Sequence, residues 1–340
     1  MRAIRLALLG CVILLAAAPA AAVQYTVREL TGMTEACDLS DTGWAVGACH
    51  VGGLDVPCYR DGHRLRRLPL PAGATGGSAK AINNRGDILC SYVSAGGEGS
   101  YVYLANRRLA VVEMAVTTCI ARGPCVGGAT AYAGLAAALW QRGAVTPIGL
   151  LYPEHDYAWV KVAAVNDDGV VAGDAYFSAE MGPYRSEVFI WRDGTVVYPP
   201  TPCQHPLESH VSAMNSQGQV VGWATDAWVD LRPVVWTPPV GAMPYILYTP
   251  YEAGLAADIN DAGQVVGWCC VTSSHDLGAA LWLPGGAMYD LNTLLRPGSG
   301  WYLVQARAIN NRGQILCQGR RTADGTYGYL LLTPGKTLRR

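Results

Sequence analysis

Short apolar segments rich in β-branched residues alternate along the chain with polar turn sequences. Val220-Val221 and Val265-Val266 are two examples, and each stands directly beside a turn that contains glycine. Apolar β-branched segments bounded by such turns are typical of β-strands. No helical periodicity follows Ala22, so the pattern predicts an all-β fold.

One turn sequence, Asn-x-x-Gly, recurs through the chain and ends in Gly43 and Gly123 in two looser copies. Asparagine at the first position and glycine at the fourth favour a type I turn, in which the side chain bonds the local backbone and glycine accepts a positive φ. We interpret these residues as structural, because turn chemistry accounts for both of them. The five close copies are Asn83 and Gly86, Asn166 and Gly169, Asn215 and Gly218, Asn260 and Gly263, and Asn310 and Gly313.

The seven turn glycines are spaced by 37 to 50 residues, a period typical of propeller blades. In the unit around Asn260, the turn is followed by predicted strands at Gln264–Trp268, Ala279–Trp282 and Ala287–Leu291, and a strand also precedes it. Four short antiparallel strands per unit describe a propeller blade. The sequence therefore predicts a seven-bladed β-propeller.

The two ends of the repeat region complement each other. The seventh unit stops after its third strand, Gly328–Leu332, whereas Val23–Leu30 forms a lone strand before the first unit. If the N-terminal strand completes the last blade, the ring closes and no open sheet edges remain between the first and last units. We predict one propeller domain over residues 23–340.

Repeats of the form Ile-Asn-x-x-Gly-Gln-Val-Val-Gly, followed by a strand ending in Leu-Trp and a short glycine turn, resemble the HAF-repeat family of bacterial extracellular proteins. The Asn-Gly half matches well; the His-Ala-Phe half is degraded, as in Gly278-Ala279-Ala280-Leu281-Trp282. The resemblance covers residue 23 to about Gly335. It implies export and a repeat fold, and it brings no defined activity.

Residues 1–22 have the layout of a secretory signal peptide: two arginines, an apolar run from Leu6 to Ala18, and a small-residue end before Val23. Lipidation of Cys11, as in a lipoprotein, is disfavoured because the apolar run continues after this residue. We expect a secreted or periplasmic monomer without membrane insertion after cleavage. The net charge of -1 argues against nucleic acid as a partner.

Ten cysteines follow the signal peptide, which in an exported protein favours up to five disulfides. Local spacing suggests the pairs Cys49–Cys58 and Cys119–Cys125. Cys269 and Cys270 are neighbours, and each is expected to pair elsewhere. Metal binding is the disfavoured alternative, because there is no Cys-x-x-Cys pair.

The loops that join second to third strands, and blade to blade, are long and varied, and we expect them on one face of the ring. Aromatic rings beside carboxylates there could stack on sugars and bond their hydroxyls, although the same residues are also ordinary loop composition. The candidate ligand-binding residues are His155, Asp156, Tyr176, Asp226, Trp228, Asp230 and His275.

Catalytic, metal and cofactor signatures are not predicted by the sequence. There is no Gly-x-Ser-x-Gly elbow and no phosphate-binding glycine loop. His205, Glu208 and His210 lie close together, but Pro206 and the absent zinc spacing favour a solvated loop.

The leading hypothesis is a binding or scaffold module for a glycan or an envelope protein. A glycan-active hydrolase or lyase is the alternative, using loop carboxylates such as Glu180, Asp226, Asp230 or Glu252. A third possibility is a surface protein whose loops have only a structural role.

Overall fold

A computed structural model describes residues 23–112, 116–121, 125–130, 136–141, 144–149, 151, 157–178, 185–202, 208–225, 230–238, 242–251 and 253–335. The predicted signal peptide lies outside these ranges. No helix within them is long and apolar enough to cross a membrane.

The first half of the described chain consists of short strands. They are β1 (Tyr25–Glu29), β2 (Glu35–Leu39), β3 (Trp44–Val51), β4 (Leu54–Asp61), β5 (Arg64–Arg67), β6 (Ala74–Ile82), β7 (Ile88–Ser94), β8 (Gly97–Tyr103), β9 (Leu109–Val112), β10 (Val116–Ala121), β11 (Cys125–Thr130), β12 (Ala136–Gln141), β13 (Ala144–Gly149), β14 (Tyr157–Val165), β15 (Val171–Ser178), β16 (Arg185–Arg192) and β17 (Thr195–Val197).

The second half continues in the same way, with a single four-residue 3₁₀ helix at Leu291–Leu294. Its strands are β18 (Ser209–Met214), β19 (Val220–Thr225), β20 (Leu231–Trp236), β21 (Tyr245–Ile246), β22 (Gly254–Ile259), β23 (Val265–Cys270), β24 (Leu277–Trp282), β25 (Met288–Asp290), β26 (Trp301–Ile309), β27 (Ile315–Arg321) and β28 (Tyr327–Pro334).

The strands form seven four-stranded antiparallel sheets, which confirms the predicted seven-bladed propeller. Blades 1 to 6 each take four consecutive strands, from β2–β5 for blade 1 to β22–β25 for blade 6. The hydrophobic core lies between neighbouring blades: one cluster packs Ala172 and Val188 of blade 4 against Val211 and Val220 of blade 5. Each sheet therefore buries both of its faces against its neighbours.

Blade 7 is closed by the N-terminal strand, as predicted. Its order is β1-β28-β27-β26, and β1 pairs with β28 from Tyr25 opposite Pro334 to Glu29 opposite Leu330. Tyr25 is only 4% exposed. The Arg321 guanidinium adds an ion pair to Glu29 at 3.0 Å. The two ends of the repeat region therefore share one sheet.

The repeated Asn-x-x-Gly segments form tight turns between the first and second strands of their blades. In the copy that begins at Asn260, the Gly263 N–H donates to the Asn260 carbonyl at 3.0 Å, and the φ of Gly263 is +73°. Asn260 Oδ1 also accepts the N–H groups of Ala262 and Gln264. The same pattern of side-chain acceptance occurs at Asn83, Asn166, Asn215 and Asn310.

The turn asparagines also join successive blades. The Nδ2 group of Asn215 donates to the Asn260 carbonyl, that of Asn260 to the Asn310 carbonyl, and that of Asn310 to the Ser40 carbonyl, at 2.9 to 3.1 Å. Each of these three asparagines is no more than 4% exposed. The motif therefore links blades 5, 6, 7 and 1, a role beyond the local turn that sequence reasoning assigned to it.

A close backbone approach explains a second glycine of the repeat. The first strand of each blade, which is the innermost one, has a β-bulge or similar irregularity. In blades 1, 4, 5 and 6 the residue of the second strand that lies opposite this bulge is a glycine. A Cβ on Gly222 or Gly267 would lie 1.8 or 1.9 Å from a carbonyl oxygen of the innermost strand. In blades 2 and 7 this position holds Cys90 and Cys317, and there the innermost strand has an additional irregularity.

The structure does not show the predicted Cys49–Cys58 disulfide. Cys49 is opposite Val56 and Cys58 is opposite Gly47, so the two cysteines are diagonal neighbours on β3 and β4 and both remain thiols. The side chain of Cys125 lies outside the described residues, so the Cys119–Cys125 pair stays a prediction.

Buried thiols replace the predicted disulfide framework in the described part of the chain. Burial raises the pKa of Cys90 and of Cys269 to about 12. Such thiols stay protonated and unreactive near neutral pH. Cys37, Cys270 and Cys317 also carry thiols.

Candidate functional site

The ring has two distinct faces. The turns between first and second strands and those between third and fourth strands lie on one face, here called the turn face. The loops between second and third strands and the connections between blades lie on the opposite face, here called the loop face. This division follows from the antiparallel order of each blade.

The predicted ligand residues are spread over several places. Tyr176 lies in β15 near the loop face, and Asp230 directly precedes β20. His275 lies on the blade 6 loop between β23 and β24, with a φ of +62°. His155, Asp156, Asp226 and Trp228 lie outside the described residues, as do Glu180 and Glu252. The structure therefore places Tyr176 and His275 in different blades.

Tyr176 belongs to a cluster of aromatic and charged residues between blades 4 and 5, near the loop face. We call it the His210 cluster, and its residues are Trp159, Lys161, Asp174, Tyr176, Ser186, Glu208, His210 and Trp223. Strand register produces it, because Trp159 is opposite Tyr176 and Lys161 is opposite Asp174 in blade 4. His210 is opposite Trp223 in blade 5.

Four rings form a continuous row across the two blades. The rings of Trp159 and Tyr176 are stacked, with centroids 3.6 Å apart and an interplanar angle of 4°. Tyr176 meets His210 at 5.5 Å, and His210 meets Trp223 at 4.1 Å. All four side chains are partly exposed.

The Asp174 carboxylate of blade 4 bonds His210 at Nδ1 and so connects blade 4 to blade 5. Its Oδ1 accepts the Val211 N–H at 2.7 Å, and its Oδ2 lies 3.2 Å from His210 Nδ1 and 3.9 Å from Lys161 Nζ. Asp174 has no exposed side-chain surface. Burial, reinforced by the Asp174 carboxylate, raises the pKa of Tyr176, so this phenol stays protonated.

The other nitrogen of His210 faces Ser186 and Glu208. Nε2 lies 3.2 Å from Ser186 Oγ and 3.5 Å from Glu208 Oε2. The Glu208 side chain is 46% exposed and that of His210 is 12% exposed. Glu208 therefore sits at the border of the ring row, where it can contact a ligand.

Asp174, His210 and Ser186 are aligned like the relay of a serine nucleophile, but the serine is engaged elsewhere. Ser186 Oγ donates to the Ser209 carbonyl and accepts the Ser209 N–H, both at 3.1 Å. Ser209 Oγ in turn donates to the Ser186 carbonyl. Ser186 is only 4% exposed. Its hydroxyl thus holds β16 against β18, and we assign it a structural role.

The sequence prediction for this region was wrong in one respect. Glu208 and His210 were expected in a solvated loop. Instead, His210 lies in β18, and the backbone of Glu208 forms an isolated parallel β-bridge with Ser186. The sequence does contain a signal that His210 belongs to a strand. His210 stands five residues before Asn215, as Lys161 does before Asn166. This common offset from the turn places both residues at equivalent points of an innermost strand. His205 lies outside the described residues.

A cavity of about 240 Å³ adjoins the cluster, and its lining includes Ser186, Tyr198, Pro200 and Ser209. Among the described residues, no group of three or more His, Cys, Asp or Glu side chains is arranged to hold a metal ion.

The turn face has a second polar cavity, of about 200 Å³, touched by residues of all seven blades. At its rim, Asn84 and Asn311 donate to Asp41 Oδ2, and Asn311 also donates to Asp261 Oδ2. These rim side chains therefore form hydrogen bonds with one another. Below the rim, burial and repulsion from Asp38 raise the pKa of Asp258 to about 8.

Comparisons with known proteins identify the fold and nothing finer. No family model and no curated protein matches the sequence, so the resemblance to HAF-repeat proteins stays a prediction. The chain is similar to the β-propeller domain of the Trilobed protease from Pyrococcus furiosus, with 9% identity, a TM-score of 0.58, and coverage of 91% of this chain and 93% of that one. That domain is described as having an open velcro topology, whereas β1 pairs with β28 here.

Two further solved structures agree with the fold. A prolyl endopeptidase matches with a TM-score of 0.58 and 9% identity over 92% of this chain and 50% of its own. Dipeptidyl peptidase 4 of Porphyromonas gingivalis matches with a TM-score of 0.52 and 9% identity over 89% of this chain and 53% of its own. At 9% identity, this similarity supports the propeller fold and gives no information about activity.

Proposed function

We propose that this propeller is an exported binding module that recognises a carbohydrate on its loop face, at the His210 cluster. The observation that carries the proposal is the row of four partly exposed rings from Trp159 to Trp223. Aromatic faces stack on the C–H faces of sugars, and polar groups at their edges fix the orientation of the hydroxyls.

The polar groups needed for such recognition border the rings. Glu208 and Lys161 each have 46% of the side chain exposed; Glu208 lies beside His210, and Lys161 lies beside the buried Asp174. Because Asp174 bonds both His210 and the backbone of β18, the rings are held before a ligand arrives. Preorganisation of this kind lowers the entropy lost on binding.

A protein ligand is the second candidate, favoured by a strip of exposed apolar and aromatic side chains on the outer edge of blade 5. Met243 is 69% exposed and Tyr248 is 64% exposed, with Tyr245, Ile246 and Tyr251 beside them. Exposed large apolar side chains concentrated in one segment favour an interaction site there.

A glycan array probed with the whole mature protein tests the proposal, followed by affinity measurements on the best glycan. We expect Trp159→Ala and Glu208→Gln each to weaken binding at least tenfold. Trp44→Ala is the matched control, because Trp44 stacks on Tyr59 in blade 1, away from the cluster. An array without a binder, or equal affinity for the parent and both cluster variants, would overturn the proposal.

The same proteins separate the second candidate from the first. If the blade 5 strip contacts a protein, Tyr248→Ser should abolish crosslinking to that protein and leave glycan affinity unchanged. Loss of both activities in Trp159→Ala alone would place the protein ligand at the His210 cluster instead.

A further inference from the structure

Two arginines meet at the outer groove between blade 7 and blade 1, where the ring closes. Arg28 lies on β1, the outermost strand of blade 7, and Arg60 lies on β4 of blade 1. The Arg60 guanidinium reaches across the groove and donates from Nη1 to the Thr31 carbonyl at 2.6 Å. Its Nη2 donates to the His63 carbonyl at 3.3 Å.

Neither guanidinium forms an ion pair within the described residues, although each arginine has an acidic neighbour in sequence. Glu29 is paired with Arg321 at 3.0 Å, and Asp61 is paired with Arg66 at 2.7 Å. The two acidic residues adjacent in sequence are therefore already paired with other arginines. Within the part of the chain that the structure describes, no carboxylate compensates the positive charges of Arg28 and Arg60.

The two side chains also leave donors unused. The Nε groups of both Arg28 and Arg60 are buried and have no hydrogen-bond partner. Burial, and then the charge of Arg60, lower the pKa of Arg28, so the two groups repel each other. Buried donors without partners and like charges in contact both cost free energy.

A third arginine faces the same groove. In the pairing of β4 with β5, Arg60 is opposite Leu65 and Cys58 is opposite Arg67, so these four residues share one face of the sheet. That face looks toward the segment after β1, because a Cβ on Gly32 would lie 3.1 Å from Leu65 Cδ2. Arg67 thus adds an exposed positive charge beside the pair.

We infer that Arg28 and Arg60, assisted by Arg67, form a binding site for an oxyanion, meaning a sulfate, phosphate or carboxylate group. Guanidinium forks match the geometry of such groups and bind them through paired charge-assisted hydrogen bonds. An anion in the groove offsets the repulsion between Arg28 and Arg60 and accepts hydrogen bonds from the outward-facing N–H groups of the guanidinium forks. This site is separate from the His210 cluster, so either can fail without the other.

Thermal unfolding in sulfate or phosphate, against chloride at matched ionic strength, tests the site. We expect a saturable rise of the melting temperature for the parent and for Arg64→Gln. Arg64 is the matched control, because it lies on the same strand as Arg67 but points to the opposite face. Arg28→Gln and Arg60→Gln should weaken anion affinity at least tenfold.

A conservative variant guards against loss of folding. Arg28→Lys keeps the charge and loses the planar fork, so it should fold as the parent does and still lose most of the anion affinity. A non-saturable salt effect, or equal loss of affinity in Arg64→Gln and Arg28→Gln, would overturn the inference, because general surface charge would then explain the result.

Polymeric and free anions are separated by a second titration with dextran sulfate, neutral dextran and inorganic sulfate. Tighter binding of dextran sulfate than of inorganic sulfate, lost in Arg28→Gln, identifies the anionic group of a polysaccharide as the ligand. Equal affinity per sulfate identifies a site for the free ion. Binding of neutral dextran at the same strength would contradict an oxyanion site.

Discussion

The side-chain amide of Asn260 donates to the backbone carbonyl of Asn310, 3.1 Å away in the next blade. The same side chain donates to Gln264 Oε1 and accepts two backbone N–H groups of its own turn. One buried residue thus holds a hairpin in shape and fixes it to its neighbour.

Asn260→Ala should therefore destabilise the protein by about 2–4 kcal/mol, because four hydrogen bonds of about 1 kcal/mol each are lost at a buried position. Urea unfolding of the variant measures this change. Asn106→Ala is the control, since Asn106 is exposed and, among the described residues, its side chain bonds only the N–H of Arg108 in its own turn. A similar small loss in both variants would show that the link between blades contributes little.

Gly267→Ala should be more damaging than Cys317→Ala, although both positions are equivalent in the repeat. The new Cβ would lie 1.9 Å from the Leu255 carbonyl oxygen, so strand backbones must separate. We expect a cost of about 1–3 kcal/mol or more, the range for an overpacked core. Calorimetry of the two variants decides this, and a Gly267→Ala protein that melts at the parent temperature would contradict the close approach.

Stability should fall as the pH rises from about 4 to 8. Asp258 keeps its proton in the native ring up to a pKa of about 8, whereas in the unfolded chain it loses the proton near its ordinary value of 3.8. The native state therefore binds more protons across this window, and deprotonation there removes stability. The loss is on the order of a few kcal/mol, because one pKa unit corresponds to about 1.4 kcal/mol.

Asp258→Ala tests this origin of the pH dependence, since alanine occupies the equivalent position at Ala81, Ala164, Ala213 and Ala308. Unfolding free energies at pH 5 and pH 8.5 should then differ less than in the parent. An unchanged slope would assign the pH dependence to other groups.

Removal of residues 23–30 should abolish cooperative unfolding or lower the melting temperature strongly. The truncation deletes the five paired positions between β1 and β28 and the buried Tyr25. It also exposes the edge of β28. Addition of a peptide with the sequence of residues 23–30 should restore part of the stability, and a truncated protein as stable as the parent would contradict closure by β1.

Local chemistry explains which parts of the fold the sequence could predict. Asn260 and Gly263 define a turn by themselves, and their repetition sets the number of blades. The strand ends were less accurate: the predicted Ala279–Trp282 begins at Leu277 in the structure. Strand ends depend on hydrogen bonds to partners that a local pattern does not contain.

Contacts between distant residues explain what the sequence analysis missed. The bond from Asp174 to His210 joins strands of two blades, and nothing near His210 in sequence indicates it. Local spacing likewise suggested the Cys49–Cys58 bridge, although strand register sets the two residues diagonally on β3 and β4. Tyr176 was predicted as a ligand residue, and the structure adds the rings around it that make such a role physically reasonable.

The pairing of Tyr25 with Pro334 has a consequence for biosynthesis. The ribosome makes β1 first among the blade strands and its partner β28 last, so six sheets can assemble while β1 still waits for its partner. Contacts of such long sequence separation form slowly. Closure of the ring is therefore the last pairing that the finished chain can make, and a ligand that bound residues 25–29 before that step would delay it.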